Sequence, residues 1–314
     1  MTISYRPWQE GDEVAARKTL GEVDTPQSAV DRPLLGPDAP DPWRRCLVAT
    51  DGEQVVAAAA VSEARLHPTR LWLYVEVAPT HRRQGIATEL VHRLRQEAAP
   101  SGVTALRSRY TTEDPAAAGF TEALGMTAIQ RSRMVHLAAG ALPEPMFGPA
   151  GPVLEDLATG SVELTKLVAA YYDRVHAGWD PAEMTLGRAQ DLLLAPQTGA
   201  HGAVVLRDRA GELGGSVLAF AVSYPAPAEE TEAAPRRDTE LLVGYDTELP
   251  AARSRAAVRQ LLAMVAARYP VLLEVDDAMA PVAEVVDALL TEDLAEVVTE
   301  TTLVALDGEE QSAH

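Results

Sequence analysis

A single cysteine, Cys46, stands among 314 residues, so no internal disulfide can form and no cysteine cluster can hold a metal. Basic side chains are outnumbered as well: 27 Lys and Arg face 46 Asp and Glu, a formal charge of −19. A surface this negative repels phosphate backbones and anionic lipid headgroups, which argues against nucleic acid and membrane as partners. Long hydrophobic runs are also missing. The longest plain apolar run, Val55 to Val61, falls far short of the roughly 20 residues of a membrane span. The opening residues, Met1 to Glu13, hold neither the basic stretch nor the apolar core of a secretion signal, and the reading expects a cytoplasmic protein. What is abundant is apolar surface. With 47% hydrophobic residues, the chain can build a core in each of two domains of about 150 residues.

Prolines and glycines crowd residues 139–152 and forbid a continuous helix or central strand, marking a linker. A first domain is therefore expected over 1–138 and a second over 153–307, followed by a flexible tail at 308–314. The stretch 24–43 is expected to be mostly loop, and the proline-rich stretch 224–238 a long exposed one. In the first domain, β-prone runs flank Asp51-Gly52, the signature of a hairpin. Leu71–Val77 reads as a strand. Ile86, Leu90, Val91, Leu94 and Ala98 recur at helical spacing. Asp114-Pro115 opens another helix, with Asp as N-cap and Pro in the first turn. Gln130–Leu137 supplies a last strand. The expected class is α/β in the broad sense, α+β in detail, with a mixed, mostly antiparallel sheet flanked by helices.

The second half repeats this order. At an offset of 171 positions Pro79 meets Pro250, Tyr74 meets Tyr245, Arg82 meets Arg253 and Leu90 meets Leu261. Strand, proline and helix recur, and Val271–Val275 and Val297–Leu306 match later strands, so two copies of one fold are expected.

The informative segment is Val77-Ala-Pro79-Thr-His-Arg82-Arg83-Gln84-Gly85-Ile86-Ala87-Thr88, between a strand and an amphipathic helix. Without a Cβ, Gly85 lets the chain turn tightly and lets a ligand approach the backbone. The unpaired N–H groups of the helix start, the helix dipole, and the Arg82 and Arg83 guanidinium groups together suit a pyrophosphate. No Gly-x-Gly-x-x-Gly follows the strand, which disfavours a Rossmann-type dinucleotide site.

This segment resembles the acyl-CoA signature of the GNAT superfamily of N-acetyltransferases, [Gln/Arg]-x-x-Gly-x-[Gly/Ala], here Arg82-Arg-Gln-Gly85-Ile-Ala87. The resemblance covers roughly residues 1–137 and extends to a later helix ending in Leu124-Gly125-Met126. It implies an acetyl-CoA (acyl-CoA) co-substrate bound beside Val75 and Val77, with Arg82, Arg83, Gln84, Gly85, Ile86, Ala87 and Thr88 around its pyrophosphate and Asp114 and Phe120 further along. It implies direct attack by the amine of a small-molecule acceptor, with no metal, in a monomer or homodimer. Where the family usually places a Tyr general acid, this chain has Thr121, so Tyr110 is the candidate acid and Glu76 the candidate base. His67 and His81 are expected at the surface. In the second half Ala256 and Val258 replace Gly85 and Ala87, so that copy is expected to be degenerate. Tyr171, Tyr172, His176 and Trp179 there are candidates for lining an acceptor pocket or for core. Missing Tyr at 121 keeps open a protein that binds acetyl-CoA as a silent or sensing module.

Overall fold

The computed structural model describes residues 2–21, 26–148, 151–208, 215–225 and 239–308. The chain divides into two compact units, Met1–Ile129 with Thr302–His314, and Gln130–Thr301.

The first unit holds β1 (Ile3–Pro7), α1 (Asp12–Leu20), α2 (Pro26–Asp31), β2 (Ala39–Pro40), β3 (Trp43–Asp51), β4 (Gln54–Glu63), β5 (Leu71–Val77), α3 (Ile86–Ala98), β6 (Leu106–Thr111) and α4 (Pro115–Ala123). Its sheet runs β1-β3-β4-β5-β6, antiparallel until β5 meets β6 in parallel. The β3–β4 turn closes at Asp51 and Gln54 with Gly52 at a positive φ of 62°, as an Asp-Gly hairpin requires. Alternation along β5 divides its side chains between two layers. Leu71 and Leu73 pack with Ile86, Leu90 and Leu94 of α3, while Ala16 and Leu20 of α1 cover Val48, Val55 and Ala58 on the opposite face. Asp114 caps α4 by accepting from the Ala116 and Ala117 N–H groups at 2.9 and 3.0 Å.

In chain order there follow β7 (Thr127–Leu137), β8 (Val153–Asp156), α5 (Val162–His176), α6 (Leu186–Ala189), β9 (Gly202–Arg207), β10 (Val217–Pro225), β11 (Thr239–Tyr245), α7 (Ala251–Val265), β12 (Val271–Asp276), α8 (Ala280–Thr291) and β13 (Ala295–Leu306). In the second unit the order is β8-β9-β10-β11-β12-β7, with β11 and β12 parallel and the other neighbours antiparallel. The core gathers Leu164, Val168, Phe220, Val243, Leu261, Leu262, Leu273 and Val286. Each unit thus has the expected mixed, mostly antiparallel sheet with helices.

Two expectations meet a different structure, and a third falls mostly outside the described residues. The stretch 24–43 contains α2 and a short 3-10 turn at Arg32–Leu34, with Pro33 at the start of that turn. Most of the 224–238 stretch lies outside the described residues. Gln130–Leu137, read as the first domain's closing strand, pairs with β12 from Leu137↔Val271 to Ser132↔Asp276, inside the second unit. The closing strand of the first unit comes from the end of β13, which neighbours β6. Val304, 2% exposed, and Leu306 join the first unit's core there.

Candidate functional site

β5 and β6 begin as true parallel neighbours and then separate. Their pairing covers Leu71↔Leu106 and Trp72↔Arg107. One residue further, Ser108 Oγ spans to the Leu73 carbonyl at 2.9 Å. Beyond that point Val75 to Val77 and Arg109 to Thr111 are without partners in this register, so an opening lies between the two strand ends.

A compact turn closes one end of it. Pro79–His81 forms a 3-10 turn, and the chain then visits positive φ twice, at Arg83 (62°) and Gly85 (77°), before α3 begins at Ile86. Arg82 to Gly85 are exposed, and a Cβ built on Gly85 would have no heavy atom within 4 Å. The space in front of Gly85 is therefore open. The first N–H groups of α3 carry no intrahelical partner and face the same side as the helix dipole's positive end. Arg82 Nε donates to the Val77 carbonyl at 3.1 Å, which ties the strand end to the turn. The Ile86 side chain is buried in the core, so it meets the turn through its backbone, while Thr88 is exposed on the first turn. These are the attributes of an anion cradle.

The candidate catalytic side chains stand on opposite faces of the sheet. Tyr110 lies with Leu106 on the α3 side and packs with Phe120 against the core. Glu76 shares the other face with Trp72 and Tyr74. Its carboxylate accepts from Arg32 twice, from Nε at 3.0 Å and from Nη2, and from the Tyr74 hydroxyl at 3.1 Å. Burial first, then the Glu76 charge and hydrogen bond, push the Tyr74 phenol well above its usual range. On that same face Arg107 and Arg109 lie 4.7 and 5.0 Å from the Trp72 ring centre, and Arg109 forms two hydrogen bonds with Asp31 at 3.1 and 2.7 Å. Arg32, Asp31 and Arg109 did not emerge from the sequence. No local motif announces an ion pair between residues 44 or 78 positions apart.

Other expectations resolve plainly. Asp114 and Phe120 sit at α4, the former as a cap and the latter in the core. The Thr121 hydroxyl donates to the Ala118 carbonyl of its own helix at 2.9 Å. His81 and His67 are buried, contrary to the surface expectation. The 3-10 turn folds the His81 ring inward, with Nδ1 2.9 Å from Thr80 Oγ1 and Nε2 3.6 Å from Asp51. Tyr171 belongs to the second unit's core, whereas Tyr172 stacks on His176 at 4.0 Å and His176 meets Trp179 at 4.9 Å.

The turn has no counterpart in the second unit. After Pro250, α7 starts at once, and Arg253 and Ser254 donate their N–H groups to the Pro250 carbonyl at 2.8 and 3.1 Å. Ala256, the match for Gly85, lies in the second turn of that helix.

In the first unit, then, a mixed sheet has parallel strands that separate beside a glycine-containing turn and a helix N-terminus. Residues 13–126 match the model of the acetyltransferase (GNAT) family. That segment is a GNAT domain, and the chain as a whole has the tandem GNAT fold. A tandem GNAT protein from the clavulanic acid biosynthesis pathway is 16% identical with a TM-score of 0.58, over 99% of this chain and 100% of that one. A GCN5-related N-acetyltransferase from Sphaerobacter thermophilus is 14% identical with a TM-score of 0.57, over 99% and 98%. One from Anabaena variabilis is 11% identical with a TM-score of 0.55, over 97% and 72%. No curated protein matches the chain in sequence.

Proposed function

We propose that the protein is an acyl-CoA-dependent N-acetyltransferase whose first unit binds the coenzyme and delivers the acyl group to a primary amine of a small molecule. The observation that carries this reading is the open space at Gly85, on a left-handed backbone, beside strands that have just separated. The Arg82, Arg83 and Gln84 backbone and side chains, with the N–H groups from Gly85 to Thr88, would hold the pyrophosphate. Val75, through its N–H and C=O, and Val77, through its N–H, face the opening and would pair with the pantetheine, while the Val77 carbonyl stays with Arg82. The coenzyme supplies an activated thioester. A backbone N–H near Val77, held in place by the strand, stabilises the negative charge that develops on the carbonyl oxygen. On the Glu76 face the carboxylate draws the protonated amine toward the strand end and receives its proton, directly or through a water. Arg32 and Tyr74 fix its orientation. Tyr110, across the opening, protonates the leaving sulfur, an undemanding step because a thiol pKa of about 8.5 already makes thiolate a fair leaving group. The acidic surface favours cationic acceptors and an aqueous, cytoplasmic setting, with no nucleic acid or membrane partner.

One observation favours a second reading, a protein that binds acetyl-CoA without turnover. Both Glu76 oxygens are already engaged, and the Thr121 hydroxyl is spent on its own helix. Release of free thiol from acetyl-CoA in the presence of a panel of primary amines separates the two. The transferase reading requires amine-dependent release, reduced at least tenfold in Glu76→Gln. Tight coenzyme binding with no release across the panel would establish the silent module instead.

A further inference from the structure

The second unit lacks the phosphate turn but keeps the opening between its parallel strands. β11 and β12 pair from Thr239↔Val271 to Leu241↔Leu273 and no further in that register. Side chains alternate along strands, so Leu242 and Gly244 on one side of the opening share a face with Glu274 and Asp276 on the other. The Phe220 ring fills the hollow over Gly244, where a Cβ would collide with it. Tyr171 of α5 stands edge-on to Phe220 at 5.6 Å and to Tyr245 at 5.2 Å.

Two buried polar groups stand here, one of them without a partner. Tyr171 is 3% exposed, and its hydroxyl has no hydrogen-bond partner among the described residues. Such a buried hydroxyl is costly unless something binds it. Asp276, 7% exposed, lies near enough to act on the Tyr171 hydroxyl. Burial first, then the Glu274 and Asp277 charges, push its carboxyl up to about 7, with Ser132 as the opposing hydrogen-bond donor. Glu240 is raised for the same reasons, burial and Glu274. Of the cations nearby, Arg131 is committed to Asp277 at 3.1 Å, and Arg174 of α5 acts on Tyr245. His136 stands on the same face of β7, opposite Leu272, and has its own partner. Glu274 itself is exposed, so the cluster opens to solvent at one end.

We propose that this face of the second unit is a binding site for a small primary ammonium group, held between the Tyr171 hydroxyl and the Asp276 carboxylate with Glu274 and Glu240 at its entrance. An ammonium brings three donors and one positive charge. It satisfies the buried phenol oxygen and cancels the repulsion among the carboxylates. A carboxylate or phosphate ligand would add to that repulsion. The site is independent of acyl transfer in the first unit.

The full-length protein tests it directly. Its thermal midpoint is followed against n-propylammonium chloride, with sodium chloride at equal ionic strength as reference, at pH 6 and pH 8. Wild type is expected to gain stability from propylammonium beyond the sodium control, with an apparent affinity about tenfold higher at pH 8, where Asp276 has lost its proton. Tyr171→Phe and Asp276→Asn are each expected to weaken the response at least tenfold. Should Asp276→Asn fail to fold, Tyr171→Phe still decides, because it removes only the unpartnered oxygen. No response beyond sodium in wild type, or an undiminished one in Tyr171→Phe, overturns the site and leaves a bound water as the hydroxyl's partner. Coenzyme A binding, measured separately, reports on the first unit alone.

Discussion

Gly85 carries more of the argument than the arginines beside it, because its backbone excludes every residue with a Cβ from an unstrained fit. A left-handed conformation costs an L-residue roughly 1–2 kcal/mol, and here the space beyond the Cα is open. Gly85→Ala should therefore lose coenzyme A affinity only several-fold, while Gly85→Trp fills the hollow and should abolish binding with an unchanged circular dichroism spectrum. Titration calorimetry measures both. Arg32 and Glu76 make the second residue-scale case. Their side chains are 18% and 16% exposed, so removing Arg32 leaves a largely desolvated carboxylate unbalanced. Arg32→Met is expected to destabilise the protein by about 2 kcal/mol in chemical denaturation. The third case is Asp276. Its carboxyl is raised to about 7 in the folded protein, against about 3.9 when unfolded, so the folded state binds the extra proton between those values. Stability from this residue is full below about pH 4 and falls as pH rises through 7. The melting midpoint of Asp276→Asn, relative to wild type, should therefore climb from pH 4 to pH 8. A constant difference would show that this carboxyl is not perturbed. Gly85 was legible in the sequence because it sits in a local motif. Asp276 was not, because its environment comes from strands and a helix far apart in the chain.

At the scale of elements, the contrast between α3 and α7 separates the two copies. Both follow a strand and a proline, and both carry the apolar spacing of an amphipathic helix, which is why the repeat was visible at an offset of 171 positions. What differs is where the helix starts. In the first unit, Gly85 at positive φ interrupts the chain and holds the helix back to Ile86. In the second, nothing interrupts it, and helical hydrogen bonds take up the N–H groups that would otherwise face a phosphate. The alignment of Gly85 with Ala256 foreshadowed this loss through a side chain. The structure traces it to the backbone. Ala256 is exposed on α7, so Ala256→Trp should leave coenzyme A affinity within about twofold of wild type, in contrast with Gly85→Trp. Equal losses from the two changes would mean that both units hold the coenzyme.

For the whole molecule, the order of elements was readable but the assignment of two strands was not. Gln130–Leu137 and Val297–Leu306 have the alternation of strands, and alternation says nothing about which neighbour a strand will choose. Proximity in sequence assigned each to its own half. In the structure the end of β13 completes the first unit instead: Val304 and Leu306 enter its core, Thr302 Oγ1 lies 2.8 Å from Thr112 Oγ1, and Arg70 reaches Asp307 at 3.5 Å. Gly308 packs so closely on Thr104 that a Cβ would come within 2.7 Å of its hydroxyl. Burial of each apolar side chain contributes about 1.5–3 kcal/mol, so losing this segment removes a large share of the 5–15 kcal/mol typical of a domain. A chain ending at Thr301 should therefore lose first-unit stability and coenzyme A binding even though the signature turn is intact. Tryptophan fluorescence can follow this, since Trp8, Trp43 and Trp72 lie in the first unit and Trp179 in the second. The expected outcome is an early transition covering most of the fluorescence change, with the second unit unfolding later. A fragment of residues 1–138 should fail in the same way, because it keeps a strand that pairs with β12 and lacks the one beside β6. Wild-type affinity in either truncation would show that the first unit folds and binds without the C-terminal strand.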